Sequence, residues 1–365
     1  MLVQAAFMIA QASTIWQRII GAWTHYALAT SATLLLLASV ATAQKYNITD
    51  IGTLGGKSSF AFSINGLGDV AGSSDTSDGK AHAFLWTQSS GMKDLGTLGG
   101  ASSKAFGING SGQIVGWSQT TDNATHAFLW TKTTGMRDLG ALNGGSSYAT
   151  AINDRGEVVG YSVDSSSGTT RAFLWTEPLG MQDLGSLGGS ASRALAINIF
   201  GNVVGWSNGK DGSARAFVWS SDNGIRTLQG LDTSDDSQAV GINASGQIAG
   251  WRSRSSETRE SFVWIDDTSV RDVGSPSTSF DTRGAAINAF GQIVGTAFGV
   301  DSGMNAFLWT KSRGNVFLKE LIPADSGWTP NVASAINNMG QIAGYGMIDG
   351  QTHAFLLTPV GPWPK

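Results

Sequence analysis

The residues able to carry chemistry are few, and most recur at fixed positions. The 365-residue chain has no cysteine, so it offers no thiol nucleophile, thiolate metal ligand or disulfide. Three of its four histidines, His82, His126 and His353, stand before the same pair, Ala-Phe. Three imidazoles could hold zinc if they converged, since a Zn–N bond is about 2 Å. The string Gly205-Trp206-Ser207-Asn208-Gly209 has the form of a hydrolase nucleophile elbow, which needs a strand turning sharply into a helix. The least regular chemistry lies in three consecutive segments. "GLDTSDDSQ" carries Asp235 and Asp236, "SPSTSFDTR" carries Asp281 and Arg283, and "IPADSGWTPN" carries Asp325, Trp328 and Asn331. Paired carboxylates about 5–9 Å apart hydrolyse glycosides. A ring, a cation and carboxylates together also suit recognition of a sugar or an ion.

Whether such residues meet depends on the elements that hold them. The string "INGSGQIVGW" from Ile108 has seven copies, which begin at Ile64, Ile108, Ile152, Ile197, Ile242, Ile287 and Ile336. Their asparagines, from Asn65 to Asn337, are 44, 44, 45, 45, 45 and 49 residues apart. Each unit has four short apolar runs of period two, which predict four strands. In the second unit they are "KAFGIN", "QIVGWS", "HAFLWT" and "GMRDLG". Asn first and Gly fourth, as in Asn109-Gly110-Ser111-Gly112, predict a tight turn whose asparagine caps it. Gly116 falls inside the second strand, where it predicts close approach of a neighbouring backbone. In the first strand, Ala105 and Gly107 are read as a small face, with Phe106 and Ile108 as the bulky one.

Four antiparallel strands in about 45 residues, repeated radially, predict an all-β, seven-bladed β-propeller. The chain order sharpens this. "YNITDIG" near the start is a fourth-type strand, and "HAFLLT" near the end is a third-type strand. The N-terminal strand is therefore expected to pair with the last blade and close the ring, leaving no free sheet edge. In that ring the third strand lies roughly 17 Å from the axis, because strands are about 4.8 Å apart. The histidines would then be too far apart to share a metal, and no metal or cofactor is expected. Ser207 falls in a repeated second strand, not an elbow. The recurring Trp86, Trp130, Trp175, Trp219, Trp264 and Trp309 are read as core between blades.

The chain resembles the HAF family of bacterial extracellular repeat proteins. The resemblance rests on His82-Ala83-Phe84, His126-Ala127-Phe128 and His353-Ala354-Phe355, on "DLGTLGG", and on the repeated Ile-Asn strings. It covers residues 44–358 and implies export and the repeat fold. It implies no reaction. Four of the seven units lack the histidine, and Leu357 replaces the tryptophan in the last.

The N-terminus agrees with export. Residues 26–43 carry no charge and end in Ala41-Thr42-Ala43, the form of a signal-peptidase site. Residues 1–43 are expected to be a signal peptide cleaved after Ala43, with 44–365 forming the propeller and no stable membrane span remaining. The mature part has 22 basic and 27 acidic residues, which argues against nucleic acid as a partner. Charged residues are 14% of the chain, well under the usual quarter.

The functional expectation is an exported, non-catalytic, monomeric propeller. It would bind an extracellular glycan or protein on the channel face through Asp235, Asp236, Asp281, Arg283, Trp328 and Asn331. The alternative is a polysaccharide hydrolase or lyase that uses the carboxylates of the same irregular loops.

Overall fold

The short apolar runs become twenty-eight β-strands among the described residues. The computed structural model describes residues 46–231, 236–253, 258–266, 269–274, 280–299 and 303–361. The strands form antiparallel groups of four in chain order. Gly55–Ile64, Val70–Thr76, Ala81–Thr87 and Gly91–Asp94 make the first group. The arrangement repeats in groups whose first strands begin at Gly99, Ser146, Gly188, Ser237 and Phe280. The remaining group is composite. Thr329–Ile336, Ile342–Ile348 and Gln351–Pro359 are joined by Tyr46–Gly52 from the other end of the chain. Tyr46 lies opposite Pro359 and Gly52 opposite Ala354. The fold is all-β and propeller-like.

Each turn forms as its residue types require. The Gly112 N–H donates to the Asn109 carbonyl at 3.0 Å, and Gly112 has φ of 74°, which glycine adopts without strain. The Asn109 side-chain oxygen accepts from the N–H groups of Ser111 and Gln113, and Asn109 is 3% exposed. Its Nδ2 reaches further and donates to the Asn153 carbonyl in the next group at 3.1 Å. The same bond runs from Asn65 to Asn109, Asn153 to Asn198, Asn198 to Asn243, Asn243 to Asn288 and Asn288 to Asn337. Asn337 donates back to the Asn65 carbonyl at 3.0 Å. One residue type thus shapes seven turns and ties each group to the next.

Gly116 is needed for close approach. A Cβ there would lie 1.9 Å from the Lys104 carbonyl oxygen, well inside contact distance. At the equivalent Gly72 it would also lie 2.8 Å from the Phe84 ring. That phenylalanine and its counterparts Phe128, Phe173, Phe217, Phe262, Phe307 and Phe355 are fully buried.

The core lies between neighbouring groups. Ala71, Ala83 and Leu95 of one group pack with Ile108, Phe128 and Trp130 of the next. Trp130 and its counterparts, Trp219 excepted, are 4–8% exposed, and Leu357 fills the same place in the composite group. Polar residues stitch the same seams. Buried Ser103 donates to the Gly96 carbonyl and accepts from the Ala83 N–H. Ser59 joins Gly52 and Ala354 in the same way.

The small and bulky faces predicted for the first strand need correction. Register shifts between Ala61 and Ser63, and between Ala105 and Gly107, mark a β-bulge in each strand. All seven first strands carry it. The extra residue breaks the alternation. Ile108 is buried in the core, whereas Phe106 turns to a central cavity.

Candidate ligand site

The first strands surround a cavity of about 570 Å³ to which all seven groups contribute. Two rows of residues build its wall. The bulge residues Phe62, Phe106, Thr150, Leu195, Ala285 and Ser334 form the first. Two residues earlier in their strands stand Tyr148, Arg193, Gln238 and Val332, and the partners Tyr161, Trp206 and Tyr345 come from second strands. Bulges therefore convert an inter-strand position into a channel-facing one.

The wall is aromatic on two sides. Tyr148 stacks on Tyr161 with ring centres 4.9 Å apart, and Trp117 meets Tyr148 edge-on at 6.2 Å. Phe62 lies 5.1 Å from Phe106, and Phe60 meets Tyr345 edge-on at 5.0 Å. The Arg193 guanidinium sits 4.3 Å from the Tyr161 ring centre and 5.5 Å from that of Trp206. Burial pushes the Tyr161 phenol above its ordinary range, with Arg193 pulling the other way. Burial alone raises that of Tyr345. Among the described residues lining the cavity there is no carboxylate. Its volume and its mix of rings with few polar groups are those of a small-molecule site.

The irregular linker residues do different work. The Asp236 carboxylate accepts from the Ala214 N–H at 2.9 Å. Asp281 accepts from the Arg259 N–H at 3.1 Å. Asn331 donates to the Met304 carbonyl at 3.0 Å. Ala214, Arg259 and Met304 are equivalent residues of successive third strands. At the regular seam between two earlier groups, a backbone bridge joins Thr170 to Ala191 instead. Three of the candidate residues thus stitch one group to the previous one, and the frame does use them.

Arg283 lies 3.4 Å from Asp281 and over the Phe298 ring at 4.7 Å. Trp328 is not a free platform; it packs on the core and meets Phe355 edge-on at 5.8 Å. Asp325 is exposed. Asp235 lies outside the described residues. Among the described residues Asp281 and Arg283 come together, while no bond joins either to Asp236 or Trp328.

The histidines and Ser207 also hold the frame. Nδ1 of His82, His126 and His353 lies 2.8, 2.8 and 2.9 Å from Asp94, Asp138 and Asp50, each in the adjacent strand. Those aspartates cap the following turns through Gly96, Gly140 and Gly52. Ser207 is fully buried; it accepts from the Leu187 N–H and donates to the Ala191 carbonyl.

Sequence reasoning placed the site in the linkers, because a β-bulge hides which first-strand residues face the cavity. The signal was inside the strand. Where neighbouring positions repeat, one position reads Phe60, Lys104, Tyr148, Arg193, Gln238, Arg283 and Val332.

No family model and no curated protein matches the chain. Solved structures match in fold. The β-propeller domain of the Trilobed protease from Pyrococcus furiosus aligns with a TM-score of 0.56 and 9% identity, covering 88% of this chain and 100% of that one. The BP39L lectin from Burkholderia pseudomallei aligns with a TM-score of 0.51 and 9% identity, covering 88% and 98%. TolB from Acinetobacter baumannii aligns with a TM-score of 0.47 and 12% identity over 80% of this chain, which spans 64% of TolB. At these identities the likeness is one of fold: this is a β-propeller fold. Among the described residues no helix is long and apolar enough to cross a membrane.

Proposed function

We propose that this chain is an exported, non-catalytic β-propeller of the HAF type that binds an extracellular saccharide in its central cavity. The observation that carries the reading is the wall built from Tyr148, Tyr161, Trp206, Phe62 and Phe106 around about 570 Å³. Aromatic faces stack on the apolar faces of sugar rings, while tyrosine hydroxyls and an arginine supply directional bonds. The described lining is rings and an arginine rather than the pair of carboxylates that glycoside cleavage uses, which favours binding.

The same reading takes the ring as seven closed blades. The pairing of Tyr46–Gly52 with Gln351–Pro359 and the return of the asparagine bonds from Asn337 to Asn65 support it. In it, Asp236, Asp281, Trp328 and Asn331 brace the wall, and Arg283 occupies a strand position equivalent to Arg193. Residues 1–43 act as a signal peptide cleaved after Ala43, and the released chain is a monomer.

A glycan array probed with the purified chain tests the function. Binding that falls more than tenfold in Trp206→Ala, with the melting transition retained, is the expected result. Binding unaffected by both Trp206→Ala and Tyr148→Ala would place the site elsewhere and overturn the reading.

A further inference from the structure

We infer that the saccharide taken by the cavity is acidic, with its carboxylate held by Arg193; this rests on the saccharide reading above. Arg137, Arg155, Arg215, Arg252 and Arg283 each lie within salt-bridge distance of a carboxylate. Arg193 differs. Among the described residues it has no acidic partner and it lines the cavity; its Nε, like those of Arg252 and Arg283, is buried with no hydrogen bond. Its neighbours are the rings of Tyr161 and Trp206.

A guanidinium stays charged at any ordinary pH. Holding one half-buried without a counter-ion is costly, and a well-aligned anion offsets part of that cost. The buried Nε of Arg193 is out of a ligand's reach, but the two terminal nitrogens form a fork that matches a carboxylate in two parallel bonds. Tyr161 is covered by Tyr148 and Arg193, so the apolar contact for the sugar that bears the acid falls to other rings of the wall, Phe62 and Phe106.

The surrounding positions agree in sign. Lys104 and Arg283 stand where Arg193 does in their own first strands, opposite Trp117 and Thr296. The other four residues of that row are Phe60, Tyr148, Gln238 and Val332, none of them acidic. Arg283 is paired with Asp281, so in a chain of net charge −4 Arg193 and Lys104 carry the positive charge of this row, a field that draws anions.

Calorimetric titration with trigalacturonate and a hyaluronan tetrasaccharide, each against its methyl ester, tests this. At least one acid should bind more than tenfold tighter than its ester. That preference should shrink between 50 and 300 mM salt, as screening requires. Arg193→Met, which keeps bulk and loses charge, should abolish the preference while leaving ester affinity within about twofold. Should that variant not fold, the salt dependence of the unaltered chain still decides. Equal affinity for acid and ester, a salt-insensitive preference, or binding of neutral glycans only overturns the acidic assignment and leaves the saccharide reading standing. No binding of these probes or of any array glycan overturns both.

Discussion

Asn337→Asp probes the place where the two ends of the chain meet. The substitution keeps the side-chain oxygen that accepts from Met339 and Gln341, so the turn is retained. It removes the Nδ2 donor to the Asn65 carbonyl at 3.0 Å and to Gln341 Oε1 at 2.8 Å. Two lost bonds cost about 2 kcal/mol together. Asn337 is 6% exposed, so placing a carboxylate against two acceptor oxygens adds about 1–3 kcal/mol. The expected total is about 3–5 kcal/mol, a fall in Tm of about 5–8 °C for a unit of roughly 320 residues. Scanning calorimetry at pH 7 measures it, with Asn109→Asp as the control from mid-chain. The two variants should lose similar stability. Burial raises the introduced carboxyl's pKa above its unfolded value near 3.9. Part of the deficit should therefore be recovered as pH falls from 7 toward 4 and that carboxyl protonates. A loss below about 0.5 kcal/mol in Asn337→Asp, beside a full loss in Asn109→Asp, would refute the ring of asparagine bonds at that seam.

Gly116→Ala should cost more than about 3 kcal/mol, since its Cβ meets a backbone oxygen that cannot move aside. Gly66→Ala, with nothing within 4 Å, should be nearly neutral; denaturant titration compares them. Removing residues 44–52 from the mature chain should expose the edge of Gln351–Pro359 and lower stability by several kcal/mol. An unchanged melting curve would sink that pairing. Burial raises the folded pKa of Tyr161 above the unfolded value near 10, so its neutral form stabilises the fold below pH 10. That contribution is lost as pH rises through the folded pKa, so Tyr161→Phe should move the alkaline unfolding midpoint upward.

Much of the architecture was legible in the sequence because its signals are local. Asn109 and Gly112 shape a turn with atoms a few residues away, and strands of period two show themselves within six residues. Gly116 could be assigned to close backbone approach because a glycine inside a strand has few other uses. Even the partner of the N-terminal strand could be read, from the order of strand types at the two ends. The expected export segment, residues 1–43, lies outside the described part of the chain.

The site was not legible by the same means. A β-bulge adds one residue and reverses the facing of a strand, and the seven bulges left no mark that period-two counting could detect. Phe106 was therefore placed on one face with Ile108, yet it lines the cavity while Ile108 is buried in the core. Trp328 looked like a platform and packs on Phe355, because exposure depends on what the next group brings against a ring. Asp236, Asp281 and Asn331 were expected to meet a ligand, yet they take over a seam that backbone groups bridge elsewhere. Local propensity determined the turns, the strands and their repetition. Only the packing of the four-stranded groups against one another decided which side chains face the cavity, because that depends on distances between residues about 45 positions apart.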